Sequence, residues 1–149
     1  MAFSVHPIDG LVYEGYHRGV VFLRSDNTPE VNGETVYKAL KEKDRNRMRD
    51  KFDTWMRGSD GPSHWFHRFD DDGRKYCFVF KRKRGHTHYR YYGFLINPQP
   101  STDPSYELCV LATHTQKNTE ATEPSETNFV NALRVRGDVI AAVKASFPD

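Results

Sequence analysis

Apolar positions along the chain follow two periods, and these predict the order of its elements. Gly19-Val20-Val21-Phe22-Leu23-Arg24 reads as a short strand, and Leu11, Tyr13 and Tyr16 before it belong to a further strand or an ordered arm. Ser25 to Pro29 carries turn residues. Val36, Ala39 and Leu40 share one face of a short helix that starts near Asn32 or Gly33. Met48, Phe52, Trp55 and Met56 recur at helical spacing, with Asp44 as the expected N-cap and Gly58 as the terminator. The opposite face of that helix is charged, through Arg45, Arg47, Arg49, Asp50 and Lys51. Gly58 to Ser63 reads as a loop, and three strand-like runs come after it: Trp65 to Phe69, Tyr76 to Lys83, and Tyr89 to Ile96. Asp72-Gly73 and Arg84-Gly85-His86 are the turns between them.

Asn97 to Ser105 holds three prolines and reads as an exposed loop. Tyr106 to Thr113 is almost continuously apolar, which predicts a central strand. A last helix is expected with Thr122 or Glu123 as cap and Pro124 in its first turn. Its face runs through Phe129, Ala132, Leu133, Arg136, Ile140 and Val143; Gly137 weakens it and Pro148 marks its end. Strand, two helices, a meander of strands and a helix predict one α+β domain with helices packed on an antiparallel sheet.

Composition changes this picture little. The 149 residues are 37% hydrophobic and 13% aromatic, so ten Phe, eight Tyr and two Trp can build a core in one domain. Cys77 and Cys109 lie in apolar stretches without a CxxC pair, which predicts two buried thiols in a reducing compartment, or a disulfide only if their strands adjoin with suitable geometry. No apolar run reaches the length of a membrane span, and the N-terminal residues lack the pattern of a secretory signal, so the expectation is a cytoplasmic protein.

Charge matters through its distribution. The net charge is +2, yet no Asp or Glu occurs from Gly73 through Thr102. That stretch carries Arg74, Lys75, Lys81, Arg82, Lys83, Arg84 and Arg90, with His86 and His88 among them. Such a block suits a polyanionic partner; it also suits a strand edge that uses charge to resist sheet-to-sheet aggregation. His64 and His67 have H-x-x-H spacing but sit in a strand-like run without Cys or Glu partners, so no metal site is expected.

Three pieces, in order, resemble the RelE/ParE toxin superfamily and its HigB-like, phage-derived branch. One is Ala39-Leu40 through Gly58, similar to the family's leucine, break and arginine-containing helix. Another is Phe78-Val79-Phe80-Lys81 followed by Tyr89-Arg90-Tyr91-Tyr92, in which the separation of Lys81 from Arg90 matches that of two family arginines. The third is Leu111-Ala112-Thr113-His114-Thr115-Gln116-Lys117, then Pro124, then Ala132-Leu133-Arg134-Val135-Arg136. Val79 stands where the family usually has Glu, Lys81 replaces an Arg, and His114 falls where Lys is common. The first 30 residues or so are longer than the family's opening strand and read as an N-terminal extension or arm.

The resemblance implies a RelE-like fold and a metal-independent endoribonuclease toxin that cleaves mRNA, held in the ribosomal A site, by attack of the RNA's own 2′-hydroxyl. No cofactor is implied. The implied partners are RNA and a cognate antitoxin protein that covers the basic face. Lys81 and Arg90 match the cation positions that clamp the phosphate, and His114 is the expected acid or base. Arg82, Lys83, Arg84, His86, His88, Tyr89 and Lys117 are the expected RNA contacts. Convergence of Lys81, Arg90 and His114 on one concave surface is the geometric requirement of that reading. Two alternatives remain open: a catalytically inactive RNA-binding or protein-interaction module on the same fold, and a ParE-like inhibitor of DNA gyrase.

Overall fold

A computed structural model gives the architecture and describes residues 2–59, 65–69, 74–99, 105–117 and 124–147. Strands β1 (Phe3–Pro7) and β2 (Arg18–Ser25) come first. Helices α1 (Gly33–Ala39) and α2 (Glu42–Met56) come next. Strands β3 (Phe66–Arg68), β4 (Cys77–Arg84), β5 (Thr87–Gln99) and β6 (Tyr106–Lys117) form the meander, and helices α3 (Pro124–Arg134) and α4 (Gly137–Ser146) close the order. One six-stranded sheet has the order β1-β2-β6-β5-β4-β3. The fold class is α+β.

Alternation of side chains divides the core between the two sheet faces. Phe22, Phe78, Phe80, Tyr91, Cys109 and Leu111 pack with Tyr37 of α1 and Met48, Phe52, Trp55 and Met56 of α2. Val21, Val79, Tyr92, Phe94 and Val110 pack on the other face with Val130 and Leu133 of α3 and Val139 and Val143 of α4. Cys77 and Cys109 are buried thiols, not joined in a disulfide, and they lie in these two different clusters.

Several expectations need correction. The sheet is mixed: β2 pairs with β6 in parallel, Val20 opposite Cys109, while its other pairings are antiparallel. Within the N-terminal extension, residues 3–7 form an edge strand on β2, whereas Leu11, Tyr13 and Tyr16 lie in the connection between the two strands. Tyr13 secures the connection between the two strands, its hydroxyl accepting from Ile8 N at 2.8 Å and donating to Val20 O at 2.7 Å. The single C-terminal helix is two, because Arg136 takes extended backbone (ψ 133°) and Gly137 restarts the coil. Asp44 lies inside the first turn of α2, and Lys41 holds the N-cap position. β5 continues through Pro98, and β6 runs on past Thr113 to Lys117. Gly58 ends α2 as expected, at φ 102°. His64, the Asp72-Gly73 turn and the Thr122 and Glu123 cap positions lie outside the described residues.

One irregularity decides which way the end of β6 faces. Register between β5 and β6 shifts at Tyr92/Gly93: Gly93 opposes Leu111 and Tyr92 opposes Thr113, leaving Ala112 as the extra residue of a β-bulge. A Cβ on Gly93 would clash with the Val110 carbonyl oxygen and lie 2.7 Å from Phe78 Cζ, so only glycine fits there.

Candidate nucleic-acid interface

The β4–β5 hairpin projects beyond the short β3, and its far end is where the basic residues gather. Gly85, at φ 61°, makes the turn. Antiparallel register sets Lys81 opposite Arg90 and Lys83 opposite His88 on one face. Arg82 opposite Tyr89 and Arg84 opposite Thr87 take the other.

A cleft of about 820 Å³ lies between this hairpin and the N-terminal half of α2. Among the described residues, nine Lys and Arg side chains line it against one carboxylate, Asp44. The hairpin supplies Lys81, Arg82, Lys83, Arg84 and Arg90; α2 and the residue before it add Lys41, Lys43, Arg47 and Lys51. Past Trp65, whose carbonyl accepts from Lys81 N at 2.7 Å, β4 has no further partner strand among the described residues, and the cleft reaches residues of both faces around that edge.

Asp44 holds the wall together, 3.3 Å from Arg82 Nη1 and 3.6 Å from Arg84 Nη1. Lys51 donates to Lys81 O at 3.2 Å, and burial with the nearby Arg82 and Arg47 charges lowers its ammonium pKa. One carboxylate cannot neutralise this many cations, so the cleft is a site of positive potential walled by protein.

His114 sits apart from Lys81 and Arg90. It opposes Tyr91, which opposes Phe80, and all three belong to the face covered by α1 and α2. The imidazole packs 4.6 Å from the Tyr91 ring and 6.1 Å from the Tyr89 ring. Asn32, just ahead of α1, fixes the strand here: its Oδ1 accepts from His114 N at 2.8 Å. The Arg82 guanidinium lies 4.2 Å over the Tyr89 ring. Burial, then the charge of Arg82, pushes the His114 pKa down from 6.5 to about 4. Three atoms of this niche are buried without a hydrogen bond: Arg82 Nε, Tyr91 Oη and His114 Nε2. Buried polar atoms of this kind cost free energy when they lack a partner.

Convergence of Lys81, Arg90 and His114 therefore fails, and the cause is the bulge. Uninterrupted pairing from Gly93 opposite Leu111 would set Arg90 opposite His114, on one face. The extra Ala112 shifts the pairing by one and turns His114 to the other face, because side chains alternate with period two. Arg90 lines the cleft but is only 1% exposed.

The remaining predicted contacts divide. Arg82, Lys83, Arg84 and His88 line the cleft, Tyr89 lies beside it under Arg82, and His86 is exposed at the turn. Lys117 does not line the cleft; its ammonium pairs with Glu126 of α3. The α2 side of the cleft and the Tyr91–His114 contact went unread in the sequence. The charged face of α2 was the visible signal for the former.

The low imidazole pKa has a testable consequence. Folded His114 refuses a proton that the unfolded chain accepts, so its contribution is complete above pH 6.5 and is lost as pH falls toward about 4. Urea unfolding followed across that window should show a steeper loss than for His114→Phe. Identical profiles for the two proteins refute the assignment.

No cluster of three or more His, Cys, Asp or Glu that could hold a metal occurs among the described residues, and no described helix is long and apolar enough to cross a membrane. No family model, curated protein or solved structure matches the chain.

Proposed function

We propose that the chain binds single-stranded RNA, with the phosphate backbone in the cleft between α2 and the β4–β5 hairpin and a base against Tyr89. The observation that carries this is the cleft lining, nine cations to one carboxylate among the described residues. Phosphates neutralise such a surface with release of counterions, and flanking Tyr and His rings stack unpaired bases whatever their identity.

Fluorescence anisotropy of a short labelled RNA across a salt series tests it. Affinity should fall steeply with salt, by about 0.7 in log–log slope for each phosphate engaged. Lys83 and Arg84 are exposed, so Lys83→Ala/Arg84→Ala should fold normally, weaken binding about tenfold or more, and flatten the slope by about 1.4. Binding indifferent to salt, or unchanged in the double variant, would overturn the reading.

Endoribonuclease activity is the second reading, favoured by the niche that joins His114 to Arg82 at the cleft wall. A neutral imidazole beside a fixed guanidinium has the parts for proton transfer and phosphorane stabilisation. In this version Arg82 and His114 serve a 2′-hydroxyl attack, and Lys81 and Arg90 bind backbone. Supporting the implied RelE-like kinship is the element order β2, α1, α2, β4, β5, β6, α3, which repeats strand, two helices, meander and helix; β1, β3 and α4 are additions to it. A toxin of this kind would arrest growth on expression and be silenced by an antitoxin seated on the cleft. His114→Gln should then abolish RNA cleavage and growth arrest while RNA affinity stays within about twofold, since general acid–base groups contribute roughly two to four powers of ten to rate and little to binding. Intact RNA after incubation with the folded wild-type chain leaves the binding module alone standing.

A further inference from the structure

We propose that a second cavity, at the opposite end of the sheet from the basic cleft, binds a small planar phosphomonoester of the nucleoside monophosphate class. The proposal goes beyond RNA binding in the cleft and does not depend on it. The cavity is about 670 Å³ and opens where β5 passes Leu95 and Ile96, beside Glu107 in the first residues of β6. The cleft, by contrast, takes His88 and Arg90 from the other end of β5.

Charge sets the class of ligand. Among the described residues, Arg18, Arg68 and Arg134 line the cavity against a single carboxylate, Glu107. The surplus of two positive charges matches the roughly −1.5 to −2 of a phosphomonoester at neutral pH. Glu107 meets two of these arginines at ion-pair distance, its Oε2 3.6 Å from Arg18 Nε and 3.5 Å from Arg68 Nη2. That oxygen, with Arg68 Nε and Nη2, is buried without a hydrogen bond. The Arg68 side chain is 35% exposed, so its planar edge can turn to meet two phosphate oxygens.

Tyr76 supplies the planar element. It has φ 74°, the one non-glycine residue with positive φ among those described, and it is 45% exposed. A bulky residue in this region costs on the order of 1–3 kcal/mol. Hydrogen bonds hold it there: Leu95 N donates to Tyr76 O at 2.7 Å, and Cys77 N closes the turn on Arg74 O at 2.9 Å. Glycine would make this turn unstrained. What the strain secures is an exposed ring at the rim of the cavity, with the Arg134 guanidinium 4.9 Å from its centre and Lys75 Nζ at 5.4 Å. A base that takes the place of Arg134 over this ring turns the guanidinium toward the phosphate, and Leu95, Ile96 and Ile140 meet the sugar.

Calorimetric titration of the full chain with AMP, GMP, CMP and UMP tests the site. At least one should bind with Kd below about 1 mM. Adenosine and inorganic phosphate should each bind at least tenfold more weakly than the best nucleotide. Tyr76→Gly relieves the strain, so it should raise the melting temperature while weakening binding tenfold or more. Arg134→Gln should weaken it similarly, and Lys83→Ala/Arg84→Ala should leave it unchanged. Absence of nucleotide binding up to about 5 mM overturns the proposal. So does phosphate binding as tight as nucleotide, an affinity that survives Tyr76→Gly, or one lost in the cleft variant.

Discussion

Gly93→Ala should destabilise the protein by about 3 kcal/mol or more, near the upper end for an overpacked core. The added methyl would collide with the Val110 carbonyl oxygen and sit 2.7 Å from Phe78 Cζ. Neither neighbour can yield. Val110 belongs to β6, paired on both sides, and Phe78 is wholly buried under α2. For a chain of this size the melting temperature should drop by roughly 6–12 °C. The substitution also tests the bulge, since the strain is relieved if β5 slips by one residue and expels it. That slip would set Arg90 opposite His114, which cross-strand nuclear Overhauser contacts would reveal. A melting temperature within about 2 °C of the parent would show that β5 and β6 do not approach this closely.

Phe52→Ala should cost about 3–5 kcal/mol and remove the main anchor of α2. Phe52 is fully buried, and its ring meets Phe80 edge-on at 5.0 Å and Tyr91 and Phe22 at 6.4 Å. One side chain thus ties α2 to β2, β4 and β5. Because α2 carries one wall of the basic cleft, RNA affinity should fall with stability. Phe52→Leu keeps most of the volume and should cost less than about 1.5 kcal/mol, with affinity nearly unchanged. Urea midpoints for the two variants, set beside anisotropy titrations at low temperature, check both effects. A loss below about 1 kcal/mol for Phe52→Ala would mean that α2 is held elsewhere.

Local patterns carried much of this architecture. Helix α2 was legible because Met48, Phe52, Trp55 and Met56 keep helical spacing without an internal Gly or Pro, and all four are buried. The hairpin was legible because Gly85 turns it, and the Lys81–Arg90 pairing comes from counting outward from that turn. Non-local facts were hidden. Nothing in Arg18–Ser25 announces a parallel partner at Tyr106–Lys117, and edge strand β1 is too short to show a period. Residues 81–84 look like one uniform charge run, yet alternation deals them to two faces. His114 was the costliest miss. Its direction depends on one unpaired residue, Ala112, and the close approach at Gly93 that shapes the bulge is a tertiary contact no spacing rule reveals.

The parallel pairing of β2 with β6 also dictates when the molecule can be completed. Val20 can meet Cys109 only after the helices and the strands that separate them in sequence have been made. Until then the β1–β2 ribbon and the β4–β5 hairpin form as separate local units, and α2 lacks the finished sheet against which to dock. Long-range closure of this kind slows folding. It leaves the rims of β2 and β5 open to mispairing during synthesis. The sheet that backs the basic cleft is closed only once β6 bridges the two halves.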